Sequence, residues 1–331
     1  MPVGVALIGA GRFGRQHASA LRALPEAQRI AVCDLSPDRA EEVASCFGFA
    51  RWTTDCAEVA HDPAVEAVVV ATEEVAHREP TCMLLGAGKH VLVEKPLATD
   101  LQDADAILEA ARGAGPILMV GHVLHFEPAY ALLRERIQRG ELGEPVSIAT
   151  RRHCRKTSFG HYARTHPVLH LGVHDLDLML WLLNEPLTVN QAWERNTLGK
   201  ANPDVAWVAL ESESGVLCQL AVSWLLPGDS PAGIVAELEV IGTEGTALVR
   251  SPAPTLTLWR DQGVETPDTA IWPDLAGVTA GALQDELRHF LRLAAGQAAF
   301  DFADTERARS ALALALDAIE RAQARTKEAN R

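Results

Sequence analysis

Apolar positions up to residue 121 fall into short continuous runs separated by stretches of helical periodicity. The runs VGVALIG (3–9), RIAVCD (29–34), AVVVAT (67–72), HVLVEK (90–95) and ILMVG (117–121) are apolar on both faces and have strand lengths. Between them, helical spacing marks 13–24, 37–47, 76–87 and 100–114. Strands with two apolar faces, each followed by a helix, predict a parallel sheet covered on both sides. That is a doubly wound α/β Rossmann domain, placed here at 1–122.

The pattern changes near Pro128. A helix over 129–139 ends at RGELGEP, and strands of alternating character follow at 145–153, 203–211, 216–225, 234–241 and 246–250. SESGVL and GTEGTA have the composition of hairpin connections. Helical stretches at 278–295 and 303–325 close the chain. A second, α+β domain with a mainly antiparallel sheet is expected over 123–331, its C-terminal helix able to pack back on the first domain.

Composition narrows the function classes. With 48 % hydrophobic and 22 % charged residues, the chain falls among soluble globular proteins. A net charge of −14 without a basic cluster argues against a nucleic-acid partner. MPVGVALIGAG lacks a basic leader, and its apolar run is too short for a signal peptide or a membrane span. Cysteines 33, 46, 56, 82, 154 and 218 are scattered with no C-x-x-C pair, which suits thiols better than disulfides or a zinc knuckle. A cytoplasmic protein without a membrane partner is expected.

Candidate chemistry begins at VALIGAGRFGRQHASAL. Gly9, Gly11 and Gly14 bracket Arg12 and Phe13 between a buried strand and a helix. Gly9 permits a tight turn, Gly11 lets backbone N–H groups approach a pyrophosphate, and Gly14 allows close helix–strand packing. Asp34 closes the next strand twenty residues after Gly14, where an acid accepts from ribose hydroxyls and repels a 2′-phosphate. NAD is therefore the expected cofactor, with NADP left open by the nearby Arg39. The alternative is a glycine-rich turn that binds no nucleotide.

GKHVLVEKPLA places Glu94, Lys95 and Pro96 at the carboxyl end of a strand, the edge where ligands bind in such sheets. Taken together and in order, Gly9–Gly14, VVVATEEVAH (68–77), GKHVLVEKPLA (88–98), VGHVLHFEPAY (120–130) and LGVHDLD (171–177) resemble the Gfo/Idh/MocA oxidoreductase family over nearly the whole chain. VGHVLHFEP is most similar to the GHxxRFNP stretch of its nucleotide-sugar dehydrogenases, with His125 where arginine is common.

The resemblance implies an NAD(P)-dependent dehydrogenase acting on the secondary alcohol of a sugar, cyclitol or nucleotide-sugar. It implies a large open second-domain sheet used for homodimer or homotetramer contacts. It also implies Lys95 as the catalytic lysine, His174 as its histidine partner, and Thr72, His77 and Glu94 at the nicotinamide end of the cofactor site. His122, just after the fifth strand, is expected nearby and is a candidate for substrate as well. The chemistry agrees: a partly desolvated lysine beside a cationic nicotinamide has its charged form disfavoured and can accept a hydroxyl proton. Two other classes stay open: an NAD-binding regulatory or complex subunit without turnover, and a zinc-dependent enzyme.

HPVLHLGVHDLD (166–177) spaces three histidines at i, i+4 and i+8. Pro167 suits a first helical turn, so His166 is expected at or before the helix start. His170, His174, Asp177 and Trp181 form a polar stripe beside an apolar one, as expected for a helix lining a cleft. A zinc pair at His170 and His174, a proton-transfer role, and satisfied half-buried histidines all fit this spacing, but no Glu follows the first His as in the metalloprotease signature. His170 departs from the family resemblance, which implies aspartate there. An anionic substrate that uses the strand TRRHCRK (150–156) would suit the change. His153, Tyr162 and Asp177 are further substrate candidates, with Tyr162 expected in a loop before the helix.

Overall fold

The structure is a computed structural model and describes residues 1–113, 115–251, 256–260 and 263–329. Ala114, at the end of the helix expected over 100–114, lies outside them. By internal contact the chain divides into two units, Met1–Phe126 with Ile271–Arg309, and Glu127–Ala270 with Ser310–Arg331.

In the first unit, strands β1 (Val3–Ile8), β2 (Ala27–Cys33), β3 (Arg51–Thr53), β4 (Ala67–Val70), β5 (His90–Glu94) and β6 (Leu118–Gly121) form one sheet. Its order is β3-β2-β1-β4-β5-β6, and every pair is parallel. Helices α1 (Arg12–Arg22), α2 (Pro37–Phe47), α3 (Cys56–His61), α4 (Arg78–Gly86) and α5 (Leu101–Ala111) follow successive strands. The order reverses between β1 and β4, the switch point where nucleotides bind in open sheets. β3 and α3 do not stand out in the sequence, because Arg51-Trp52-Thr53 carries no apolar run and α3 is six residues long.

Residues 271–309, grouped by pattern with the second domain, belong by contact to this first unit. The reason lies in helix α9 (Ala282–Ala294). Its Leu283, Leu287, Phe290 and Leu291 follow one helical face and are at most 1 % exposed. Leu287, Phe290 and Leu291 share a core cluster with Val5, Leu7 and Leu92 of the sheet. Each such side chain contributes about 1.5–3 kcal/mol when fully buried.

The second unit is built on helix α6 (Pro128–Gln138), strand β7 (Pro145–Arg155), helices α7 (Lys156–Tyr162) and α8 (Val173–Leu183), and strands β8 (Leu187–Arg195), β9 (Val205–Ser212), β10 (Leu217–Leu226), β11 (Ile234–Gly242) and β12 (Thr246–Ser251). The sheet order is β12-β11-β7-β10-β9-β8, antiparallel except for the β7–β10 pair. β8 escapes the pattern because its register slips between Val189 and Gln191, which breaks the period-two alternation. Helix α10 (Phe302–Ala329) ends the described chain. Among the described residues no helix is long and apolar enough to cross a membrane.

Alternation along β7 sends Ile148, Thr150, Arg152 and Cys154 to the buried face. A guanidinium there needs a matched anion. Asp175 of α8 supplies it, accepting from Arg152 Nε at 2.8 Å and Nη2 at 3.1 Å, with both side chains buried. This bidentate pair ties the helix that carries His174 to the sheet. Asp175→Asn is expected to strand the Arg152 charge and destabilise the unit by about 3–5 kcal/mol, read as a shift in urea midpoint. A shift within error would mean that the pair carries no such role.

Candidate functional site

The turn after β1 is shaped by what its glycines lack. Gly9 has φ +97°, and a Cβ there would lie 2.6 Å from the Ala71 carbonyl oxygen. A Cβ on Gly14 would lie 1.9 Å from the Gly9 carbonyl oxygen, so α1 is pressed onto the strand end. Gly11, by contrast, meets nothing within 4 Å and leaves the start of α1 open. That start has no side-chain cap and no acidic residue in its first turn. Its N–H groups and dipole are thus available to an anion. Arg12 is exposed beside the turn, and Phe13 packs edge-on against His17 at 4.9 Å and Trp272 at 5.7 Å. The cradle fits a dinucleotide pyrophosphate.

Asp34 ends the neighbouring strand. One carboxylate oxygen accepts from Ala10 N at 2.7 Å; the other accepts from Ser36 N at 2.8 Å and Arg39 Nη2 at 2.7 Å. Burial pushes the carboxyl up, but the Arg39, Ser36 and Ala10 hydrogen bonds outweigh it and hold Asp34 below the usual carboxylate range. A fixed anion thus stands where a ribose would be read, with an arginine against it.

Residues at the ends of β4 and β5 lie along the same sheet edge. Thr72 Oγ1 donates to the Ala76 carbonyl at 3.3 Å. His77 is buried, and its Nδ1 donates to the Pro96 carbonyl at 2.9 Å; burial lowers its pKa. Lys95 is half-buried, and the Lys95–Pro96 peptide is cis.

Glu94 is buried beneath Lys95, where its Oε1 accepts from His17 Nε2 at 2.8 Å and its Oε2 from the Lys95 N–H at 3.2 Å. The absent side chain of Gly121 leaves room for it, since a Cβ there would lie 3.0 Å from Oε1. Sequence reasoning missed both His17 and Glu286. Glu286 on α9 is fully buried, and among the described residues neither carboxylate oxygen has a hydrogen-bond partner. Burial and the Glu94 charge push its pKa well above the usual carboxylate range. The only sequence signal was a Glu on the apolar face of a helix.

His122 is buried at the end of β6, its ring stacked on His125 at 5.9 Å. Both line a small cavity of the first unit with Phe126 and His289.

In the second unit the histidine stretch is not one regular helix. Val168–Gly172 forms a π-turn that runs into α8. His166 is buried at its start: Nδ1 accepts from Val168 N at 3.2 Å, and Nε2 therefore donates to Glu194 at 3.1 Å. It is a structural residue. His170 and His174 are half-buried and Asp177 is buried on α8. Tyr162, expected in a loop, is the last residue of α7, and its ring lies 4.3 Å from His170.

His153 lies opposite Ser223 in register, their side chains 2.9 Å apart. Alternation turns them to the sheet face away from Arg152, so the structure does not bring His153 beside His170. The cationic strand suggested by TRRHCRK does not materialise either. Arg152 is spent on Asp175, Arg151 on Glu237 at 2.7 Å, and Arg155 on the Ser230 carbonyl. Among the described residues no group of three or more His, Cys, Asp or Glu is placed to hold a metal ion.

Residues 3–122 match the family model described as the oxidoreductase family GFO_IDH_MocA, NAD-binding Rossmann fold, and residues 130–248 match the GFO/IDH/MocA C-terminal domain. The scyllo-inositol 2-dehydrogenase (NAD(+)) of Bacillus subtilis strain 168 is 31 % identical over 74 % of this chain and 72 % of its own. Among solved structures, a putative myo-inositol dehydrogenase from Sinorhizobium meliloti 1021 superposes with TM-score 0.83 at 24 % identity, covering 98 % of each chain, a likeness of fold. GenD2 from gentamicin A biosynthesis, solved with NAD, superposes with TM-score 0.83 at 25 % identity over 97 % of this chain and 94 % of its own.

A buried acid of the second unit offers a test of these electrostatics. Burial pushes Glu127 up from 4.5 to about 7, with Arg152 opposing and Asp268 adding to the shift. The folded protein therefore holds this proton more tightly than the unfolded chain. Its contribution is complete below pH 4.5 and is lost as pH rises through about 7. Glu127→Gln should remove that loss and gain on the order of 3 kcal/mol over wild type above neutrality, less whatever solvent screening remains. Urea midpoints from pH 4 to 9 read this directly. Parallel curves for the two proteins would contradict it.

Proposed function

Because the chain belongs to the Gfo/Idh/MocA oxidoreductase family, an NAD-dependent enzyme acting on CH–OH groups, we propose that it oxidises a ring secondary alcohol of a cyclitol, with Lys95 taking the hydroxyl proton and His174 assisting. The observation that carries this reading is the common sheet edge shared by the open glycine cradle, Asp34 and Lys95. Bound NAD supplies the hydride acceptor. Asp34 would receive the ribose hydroxyls, the start of α1 would receive the pyrophosphate, and Thr72, His77 and His122 would hold the nicotinamide end. Glu94, held by His17 and by the Lys95 N–H, steadies the backbone from which the lysine projects. Lys95 accepts the hydroxyl proton in oxidation and returns it in reduction. The imidazole of His174 hydrogen-bonds the same hydroxyl, and Asp177, one turn on, orients it.

Sugars and nucleotide-sugars are the further substrates of this reading. We assign the site to a homodimer or homotetramer assembled through the second sheet. In support, Trp193 and Trp207 stand side by side in register and are 37 % and 52 % exposed. The cysteines remain thiols, which suits the cytoplasm. The two domains of this reading are the nucleotide domain, 1–122, to which 271–309 return, and a substrate and assembly domain built from the remaining residues after 123.

Lys95→Met should lower NAD reduction with inositols by at least about 10²-fold while leaving the Kd for NAD within a few-fold, measured by absorbance and by calorimetry. Retained turnover would remove Lys95 from the mechanism, and NAD binding without turnover in wild type would make the protein a cofactor-binding subunit. Asp34→Ala should narrow the preference for NAD over NADP by about tenfold or more, read as the ratio of the two dissociation constants.

A further inference from the structure

Glu286 is out of character with its helix face. It lies among Leu283, Leu287 and Phe290 on α9, is 0 % exposed, and finds no hydrogen-bond partner among the described residues. A buried carboxyl of this kind costs stability that a leucine in its place would not. A second polar atom is left over on a neighbouring helix. His17 of α1, which packs on α9, is also 0 % exposed, and its Nδ1 has no partner among the described residues.

Both groups converge on Glu94. His17 Nε2 lies 2.8 Å from Glu94 Oε1, and the charge of Glu94 acts on Glu286. Because the Glu94 carboxylate accepts, Nε2 carries the ring hydrogen, and Nδ1 of the neutral imidazole is an acceptor that lacks a donor. On Glu286, burial and the neighbouring charge both favour the protonated carboxyl, which has one O–H to donate. The two needs are complementary. No direct bond joins the groups, and a water with polar atoms on either side bridges such a pair.

We propose that Glu286 is a positioning residue for Lys95: it donates through one buried water to His17 Nδ1, and so fixes the tautomer with which His17 holds Glu94 beneath the lysine. Glu94 accepts in turn from the Lys95 N–H at 3.2 Å, so a loosened His17 frees the carboxylate that steadies the lysine backbone. The link stands on the buried groups themselves; its effect on turnover rests on the dehydrogenase reading above.

Long-range proton–nitrogen correlation spectra of the NAD-loaded protein read the His17 tautomer without substrate, the signal being identified by its loss in His17→Gln. Wild type is expected to hold the Nε2–H tautomer alone, with Nδ1 at the shift of a hydrogen-bonded acceptor. Glu286→Leu should move Nδ1 to the shift of an unbonded ring nitrogen and lower kcat for inositol oxidation about tenfold, with the Kd for NAD within a few-fold and a urea midpoint no lower than wild type. Glu286→Gln, which keeps an N–H donor, should retain the wild-type tautomer and most of kcat. A merely structural Glu286 predicts the reverse, a lower midpoint with kcat per folded molecule unchanged. Should the leucine variant lose its fold by circular dichroism, Glu286→Met takes its place. The proposal is overturned if neither apolar variant folds, if the His17 signal is the same in the apolar variant as in wild type, if that variant keeps wild-type kcat, or if Glu286→Gln loses as much as it does. If wild type oxidises no inositol, the dehydrogenase reading fails, and the His17 signal alone decides the link.

Discussion

The turn at the end of the first strand is made possible by a missing carbon. With no Cβ on Gly14, the first turn of α1 rests against the Gly9 carbonyl, a contact that any side chain would close to 1.9 Å. Helix and strand are thereby locked end to end. The positive pole of α1 then opens on the sheet edge that carries Asp34, Thr72 and Lys95. Without that contact the strands would still form a sheet, but the glycine turn and Lys95 would lose their common frame.

Buried charge obeys a strict accounting in both units. Arg152 is matched by Asp175, and burial outweighs its attraction for Glu127, which holds its proton to about pH 7. In the first unit, Glu94 accepts from His17 and the Lys95 N–H, and burial with the Glu94 charge pushes the Glu286 pKa up. Burial raises the cost of ionising a second carboxyl in either place.

Much of the fold was legible because parallel strands buried on both faces write long apolar runs, as β1, β4 and β5 do. The glycine loop was legible because its backbone geometry admits so few residues. β8 was hidden by its register slip, and α9 was assigned to the wrong neighbour because an amphipathic helix does not state which core it covers. At the site, Lys95 and the histidines could be named from motifs, but the partners of Arg152 and His17 lie 23 and 77 residues away. No local pattern links such residues. The cationic strand failed for the same reason, since alternation places side chains on faces but says nothing of which are already paired.

The π-turn at Val168–Gly172 has a consequence for how this helix can change. Such a turn holds one residue more than an α-helix needs, like an insertion absorbed without breaking the hydrogen-bonded ladder. It acts as a phase joint: His170 belongs to the wide turn, while His174 and Asp177 keep the regular α-helical spacing beyond it. Closing the joint by deleting one residue would rotate His170 by about a quarter-turn relative to His174. The side chains before and after the joint can therefore drift independently along a single helix, with the surplus residue as the bearing between them.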